Sequence, residues 1–297
     1  MKSVIFTIFM LIGLIAHLKA QPYVDVIKLR YRYLPEVNYR NTPHLHLGTE
    51  QMTGKFLLPL EFENKDVLMI GGSFDRTNLR QHEDSFAGAC LYSTAMQIGY
   101  IKHWNDKFKV MVLAIPRLNS DMEEITGRHF QLGGVGLVTY KRHDNLKYKF
   151  GMYYNREFFG NFIIPLVGID WNVNDRLNIF GVLPGSMNVE YELNKRFYTG
   201  ISYRSMTASF RLSDAPASYY VREGNTFWGH NQLWAFLDYY PLKNVVMSTG
   251  IGHTAWRQYD LYNKDKEAID TNPVFQPFHD GFFAQVELAY RVRLDEK

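Results

Sequence analysis

Near the C-terminal end of the chain, Phe282, Ala284, Val286, Leu288, Tyr290, Val292 and Leu294 occupy every second position, and Gln285, Glu287, Arg291 and Arg293 fall between them. A repeat of two is the signature of an extended strand with one apolar and one polar face, because successive side chains leave a strand on opposite sides. No helix satisfies this pattern. The same alternation recurs along the chain. Ile27, Leu29, Tyr31 and Tyr33 oppose Lys28, Arg30 and Arg32, and Met52, Phe56, Leu58, Leu60 and Phe62 share one parity. Tyr92, Met96, Ile98 and Tyr100 share another, opposite Ser93, Gln97 and Gly99. Leu146, Tyr148, Phe150, Met152 and Tyr154 alternate with Lys147, Lys149, Gly151 and Asn155, apart from Tyr153. The class is therefore all-β.

Alternation alone fits a soluble sandwich as well as a membrane barrel. The connections separate the two. Short polar turns are expected at Glu63–Asp66, His103–Asp106, His143–Asn145, Asn172–Asp175, Asn194-Lys195 and Pro241–Asn244. Longer connections are expected at Leu34–Leu47, Asp75–Phe86, Arg117–Gly127, Arg156–Gly160, Ser213–Asn225 and Arg257–Asp280. Long and short follow one another through nearly the whole chain, as they do when alternate connections face the periplasm and the exterior. The exception is Pro184–Ser186, short where the scheme wants length. The expected fold is a transmembrane antiparallel up-and-down β-barrel of about 12–14 strands with both termini periplasmic.

Composition agrees. Aromatic residues are 15% of the chain, with 20 Tyr and 21 Phe, yet mean hydropathy is slightly negative at −0.26. A barrel reconciles these, since lipid-facing apolar residues alternate with lumen-facing polar ones and aromatic girdles mark both interfaces. The start of the chain reads differently. Lys2 precedes the apolar run Val4–Ala16, and Leu18-Lys19-Ala20 puts a small residue before Gln21. The run is shorter than the about 20 apolar residues of a spanning helix and has the layout of a secretory signal. Residues 1–20 are accordingly read as a signal peptide and 21–297 as one barrel domain, without linker or repeat.

Removing Lys2 and Lys19 lowers the 33 basic residues to 31 against 30 acidic, a balance that gives no reason to invoke nucleic acid. Cys90 is the only cysteine, which excludes an internal disulfide and a cysteine metal site. No cofactor is implied. The partners expected are outer-membrane lipids, the barrel-assembly machinery and an anionic or apolar small solute.

Leu183-Pro184-Gly185-Ser186, with Val189-Glu190-Tyr191 and Tyr198-Thr199-Gly200-Ile201, resembles a family of uncharacterised outer-membrane β-barrels of Gram-negative bacteria. That resemblance implies a signal peptide and one barrel over nearly the whole mature chain, and carries no activity. Many such barrels end on an aromatic residue, whereas here Leu294 is followed by Asp295-Glu296-Lys297.

The lumen parity of the first and last strands carries Lys28, Arg30, Arg32, Arg291 and Arg293, with Lys147 and Lys149 midway. In a closed barrel those two strands are neighbours, so the bases would form one wall that favours anions. They could instead pair with acids such as Glu287. Phe227–Tyr240 is bulky on both parities, making Trp228, Trp234 and Phe236 candidates for a lumen plug, while Tyr219-Tyr220 and Phe227-Trp228 suit an outer girdle. The functional expectation is a small-solute or lipophile channel; the alternative is a non-conducting structural or binding barrel.

Enzyme and metal readings are weaker. A hydrolase would draw on Ser248, His253 and His230 with Asp238 or Asn231, but Ser248 and His253 have opposite parity on one strand. Barrel lipid A deacylases place a Ser two positions after the His, and this chain reads His253-Thr254-Ala255. His44 and His46, near His82 only if loops meet, lack an acid at ligand spacing. Gly133-Gly134-Val135-Gly136 lacks the Lys-Ser or Lys-Thr of a phosphate loop and reads as strand.

Overall fold

The computed structural model describes residues 22–40, 46–81, 89–213, 220–224, 229–263, 265–269 and 278–294. Its strands are β1 (Tyr23–Asn38), β2 (His46–Glu61), β3 (Val67–Gln81), β4 (Ala89–His103), β5 (Phe108–Ser120), β6 (Phe130–His143), β7 (Leu146–Glu157), β8 (Gly160–Asn172), β9 (Leu177–Leu183), β10 (Ser186–Asn194), β11 (Phe197–Met206), β12 (Ala208–Arg211), β13 (Tyr220–Glu223), β14 (His230–Leu242), β15 (Val245–Ala255), β16 (Tyr259–Tyr262) and β17 (Phe282–Arg293). Fourteen form the wall of a closed antiparallel barrel. Each pairs with the next from β1 to β11, then β11 with β14, β14 with β15 and β15 with β17, and β17 returns to β1. Arg30 faces Glu287 and Arg32 faces Gln285 across that closing seam.

Side-chain alternation sets which face meets what. Ile27, Leu29, Met52, Phe56, Met96, Ile98, Val112, Phe150, Ile163, Ile251, Val286 and Leu288 all project outward and stand exposed. A contiguous apolar exterior of this extent has no stable contact with water and needs hydrocarbon around it. Aromatic pairs Phe62–Tyr100, Phe108–Tyr140 and Phe197–Tyr239, with ring centroids 6.5, 5.1 and 5.0 Å apart, crowd the short-turn end as an interfacial girdle.

The short turns have a shared chemistry. Asn105 Oδ1 accepts from the backbone N–H groups of Lys107 and Phe108, both at 2.9 Å, and Asn174 does the same for Arg176 and Leu177. Asn194 repeats the motif with Arg196 and Phe197. Each asparagine closes its own turn, so the hairpins need few residues. The first and last described residues meet at this end of the barrel, where the Leu294 amide donates to the Pro22 carbonyl at 2.9 Å.

The long connections differ from expectation in two ways. β3 continues to Gln81, so Asp75, Thr77 and Leu79, expected in the connection, are wall residues facing inward. The alternation simply persists beyond Asp75. The connections after β11 and β15 also contain strands: β12, β13 and β16 make a small antiparallel sheet set inside the mouth. At one point Arg211 of β12 even bridges Ser120 of β5 in parallel. Tyr220, expected in the girdle, is instead buried in this inner sheet, stacked on Tyr262 at 5.2 Å. Tyr219, Phe227 and Trp228 lie outside the described residues.

Candidate functional site: the barrel lumen

The lumen has three storeys. At the long-loop end, Phe210, Val221, Tyr259 and Leu261 of the inner sheet pack on Tyr39, Leu47, Leu79, Leu91 and Phe278, forming a buried apolar stopper. Burying side chains of this size stabilises by about 1.5–3 kcal/mol each, enough to hold the loops down. Beneath the stopper runs a buried polar chain. The Tyr259 hydroxyl donates to Glu223 at 2.8 Å and His230 Nδ1 donates to the same carboxylate at 3.0 Å. Burial first, and then the Glu223 charge, push the Tyr259 phenol well above its ordinary value. Gln232 lies 3.4 Å from His230 Nε2 and accepts from Arg32, whose Nη2 also donates to Gln285 at 2.6 Å. The Arg32 guanidinium sits 4.4 Å over Phe283 and 5.3 Å over Trp234. Hydrogen bonds together with aromatic faces make burial of this cation tolerable.

At the short-turn end the lumen is filled by ion pairs and rings. Arg291 Nε donates to Asp25 at 2.5 Å and Nη1 to Asp238 at 2.7 Å, while its guanidinium covers Tyr23 at 3.7 Å. Arg293 donates to Glu190 at 2.7 Å and covers Tyr198 at 3.9 Å. Lys28 bridges Asp25 at 2.5 Å and Glu287 at 3.2 Å. Lys149 pairs with Asp170 at 2.7 Å, and Lys147 stands opposite the same Asp170.

The five bases read from the first and last strands are therefore all in the lumen, but they do not act as one positive wall. Lys28, Arg291 and Arg293 are matched by Asp25, Glu287, Asp238 and Glu190. Asp25 has the outward parity by simple counting, and a register shift between Asp25 and Ile27 turns it inward. The other acids Asp238 and Glu190 come from strands remote in sequence. Arg32 is held by glutamines and rings. Arg30, which donates to Thr53 at 3.1 Å, is the one that faces open space.

Between the stopper and the ion pairs lie two adjoining cavities, of about 720 and about 460 Å³. Arg30, Lys55 and Arg204 line both, at their junction. Among the described residues no carboxylate lies within ion-pair distance of any of the three. Lys55 and Arg204 were not singled out in the sequence because each is a single base on its strand. The available signal was parity: Lys55 continues Thr53, and Arg204 continues Tyr198 and Ser202, on the inward face. The larger cavity has a second character. Met111, Ile115, Val135, Leu137, Phe162 and Ile164 give it an apolar wall opposite the basic one. Trp234 and Phe236 line the smaller cavity, so they narrow the lumen from β14.

The hydrolase residues do not meet. Ser248 points into the lumen opposite Asp238, whereas His253 points outward with its ring 4.9 Å from Phe282. His230 sits at the far end of β14 from Asp238, engaged with Glu223. Asn231 accepts from the Tyr203 hydroxyl. His44 and His82 lie outside the described residues, and His46 opens β2. The glycine run is strand: Gly133 lies in β6 opposite Asn155, and a Cβ there would meet the Asn155 side chain at 2.7 Å.

The family comparison fits this architecture. A domain of unknown function, DUF6268, matches residues 16–291. The chain belongs to the DUF6268 family. This is in keeping with the resemblance to uncharacterised outer-membrane barrels. No curated protein sequence matches this DUF6268 chain. Among solved structures it is similar to an outer membrane channel from Pseudomonas putida F1, with 4% identity over 90% of this chain and 93% of that one, at a TM-score of 0.48. It is also similar to the NanC porin (8% identity, 90% and 100% covered, TM-score 0.39) and to the toluene transporter TodX of Pseudomonas putida (10% identity, 94% and 92% covered, TM-score 0.38).

Proposed function

We propose that this DUF6268 protein is an exported outer-membrane barrel that binds and passes small amphipathic organic anions. Residues 1–20 serve as the signal peptide, the short turns and both termini face the periplasm, and the stopper faces outward. The observation that carries this reading is the larger cavity, in which Arg30, Lys55 and Arg204 stand across from an apolar wall. Its volume of about 720 Å³ suits a solute of modest size. Three cations with no carboxylate within ion-pair distance among the described residues raise the local concentration of an anion, and the apolar wall removes its tail from water.

Filled ends favour a second reading, a barrel that binds such a solute without steady conduction. The stopper and the Arg291–Arg293 ion pairs would then have to move for passage. Decanoate, a carboxylate with an apolar tail, separates these readings. Detergent-refolded protein, checked by its heat-dependent gel shift, is titrated with decanoate and then placed in a planar bilayer. Saturable binding with anion-selective current steps is the expected result for a channel. Binding to a silent barrel selects the second reading, and absence of binding overturns both.

A further inference from the structure

The barrel wall has a gap. β9 and β10 are the shortest wall strands, and their hairpin turns at Pro184-Gly185 about halfway up the neighbouring strand. β8 pairs with β7 all the way to Gly160, but with β9 only from Val167 onward. Among the described residues no strand pairs with the other edge of β8 from Gly160 to Leu166, a stretch of about 20 Å at the rise of an extended strand. On the far side the Ser205 amide of β11 donates to the Gly185 carbonyl of the turn at 3.0 Å, only Met206 outlasts the hairpin, and the chain then leaves the wall to form β12 within the mouth.

The cavity lining shows that this gap is open to the lumen. On β4, β5 and β6 only alternate residues line the larger cavity: Leu91, Ser93, Ala95 and Gln97 on β4, for example. β2 and β3, paired on both edges, each add a single outward residue, Met52 and Arg76, to their inward ones. On β8 every residue from Phe162 to Leu166 lines it, inward and outward parity alike, and on β11 and beyond every residue from Arg204 to Ala208 does. The five-residue run on β8, against three on the doubly paired β2 and β3, coincides with the stretch whose outer edge no strand pairs among the described residues.

The β8 and β9 side of the gap is apolar and lies within the lipid-facing belt, while the β11 side adds Ser205 and Thr207 beside Arg204. Ile163 and Val167 stand exposed on the outer face of β8, as do Leu183 on β9 and Ile201 on β11. Ile164, Leu166, Val182, Pro184 and Met206 complete the edge. Unpaired strand edges are costly in hydrocarbon because their N–H and C=O groups lack partners. Pro165, in the middle of the free edge, brings no N–H.

We infer that the gap above the Pro184-Gly185 turn is a lateral port joining the lumen cavity to the hydrocarbon of the membrane, through which the apolar part of an amphipathic anion passes while Arg204, beside the port, receives its charged head. The passage rests on the functional reading above; the opening itself does not. In the proposed orientation the port lies in the outer leaflet half, beneath the stopper, so a solute can pass between cavity and bilayer without displacing the stopper.

Two measurements test the inference. In a Cys90→Ser background, a fluorophore is attached at Ile164→Cys, at outward Ile163→Cys and at inward Ile115→Cys, and the proteins are refolded into vesicles of brominated phosphatidylcholine. An open port predicts quenching at Ile164 comparable to Ile163 and well above Ile115. Quenching at Ile164 no greater than at Ile115 overturns the port. Next, Leu166→Trp with Met206→Trp fills the collar, with Leu166→Phe as a milder variant should the double variant not refold. The expected result is decanoate binding retained in detergent, with its exchange between protein and vesicle bilayer slowed about tenfold. Unchanged exchange in a variant that still binds overturns the passage. Failure of the unaltered protein to bind decanoate overturns the functional reading and the passage with it, and the quenching pattern then judges the opening alone.

Discussion

Arg291 of β17 donates to Asp238 of β14 at 2.7 Å, a contact that skips over β15 and ties two non-adjacent wall strands through the lumen. The same guanidinium holds Asp25 of β1, so three strands meet on one cation. A buried pair contributes little net stability while intact, but removing one partner leaves an uncompensated charge.

Replacing Arg291 by Met strands Asp25 and Asp238 in the short-turn plug. Detergent-solubilised R291M is expected to lose about 3–5 kcal/mol of unfolding free energy, read from its urea midpoint. In a planar bilayer it should also show larger or more frequent current steps than the unaltered protein, since water enters to solvate the two carboxylates. Unchanged stability and current would remove the plug from the account.

Lys55→Gln and Arg204→Gln probe the cation cluster. Each should weaken decanoate binding by about tenfold, the scale of roughly 1.4 kcal/mol for one lost charge contact. The salt dependence of binding should flatten in parallel. Lys28→Gln serves as the contrast: its ammonium is already matched by Asp25 and Glu287, so anion affinity should change far less. Equal losses in all three variants would show a general lumen potential and not a localised cluster.

The stopper depends on a polar contact as well as on apolar packing. Tyr259→Phe deletes the hydroxyl that Glu223 accepts and leaves a buried carboxylate short of a donor, at a cost of about 1–3 kcal/mol. The expected signature is faster protease cutting in the loops that carry β13 and β16, with the barrel's heat-dependent gel shift preserved. Protection equal to the unaltered protein would make the contact incidental.

Acid should loosen the first short turn. Asp66 accepts from Lys102 at 2.8 Å, the Tyr100 hydroxyl at 2.6 Å and the His103 amide at 2.8 Å. These hydrogen bonds, the Lys102 one foremost, hold its carboxyl well below the ordinary value of 3.8. A depressed folded pKa gives stability that is complete above the unfolded value and is lost as pH falls below it toward the folded one. Unfolding midpoints measured from pH 6 downward should therefore fall less steeply in Asp66→Asn than in the unaltered protein below about pH 4. Parallel curves would contradict this assignment.

Much of the wall was legible because it is local. Ile27, Leu29, Tyr31 and Tyr33 face outward as their parity requires, and the turns at Asn105, Asn174 and Asn194 fall where polar residues interrupt the alternation. The inner sheet was not legible. β12, β13 and β16 are four-residue strands that gain nothing from pairing alone, and they form because Val221, Tyr259 and Leu261 find Leu47, Leu79 and Leu91 across the mouth. Such contacts depend on which loop folds inward, and alternation carries no record of that.

The site divides along the same line. Sequence placed Lys28, Arg30, Arg32, Arg291 and Arg293 on the inward face, since parity depends only on neighbours along one strand. Which of them stays free of acids was decided by strands far apart in the chain: Asp238, Glu190 and a bulge-turned Asp25 match three, glutamines and rings hold Arg32, and Arg30 joins Lys55 and Arg204. The Pro184–Ser186 turn was likewise visible as the one short connection out of place. Only closure of the barrel made it a gap, because a short hairpin leaves its neighbours unpaired only once the wall around it is complete. Alternation along a strand fixes where a side chain points; its charge partners and its openings to membrane are fixed by what the closed wall brings opposite it.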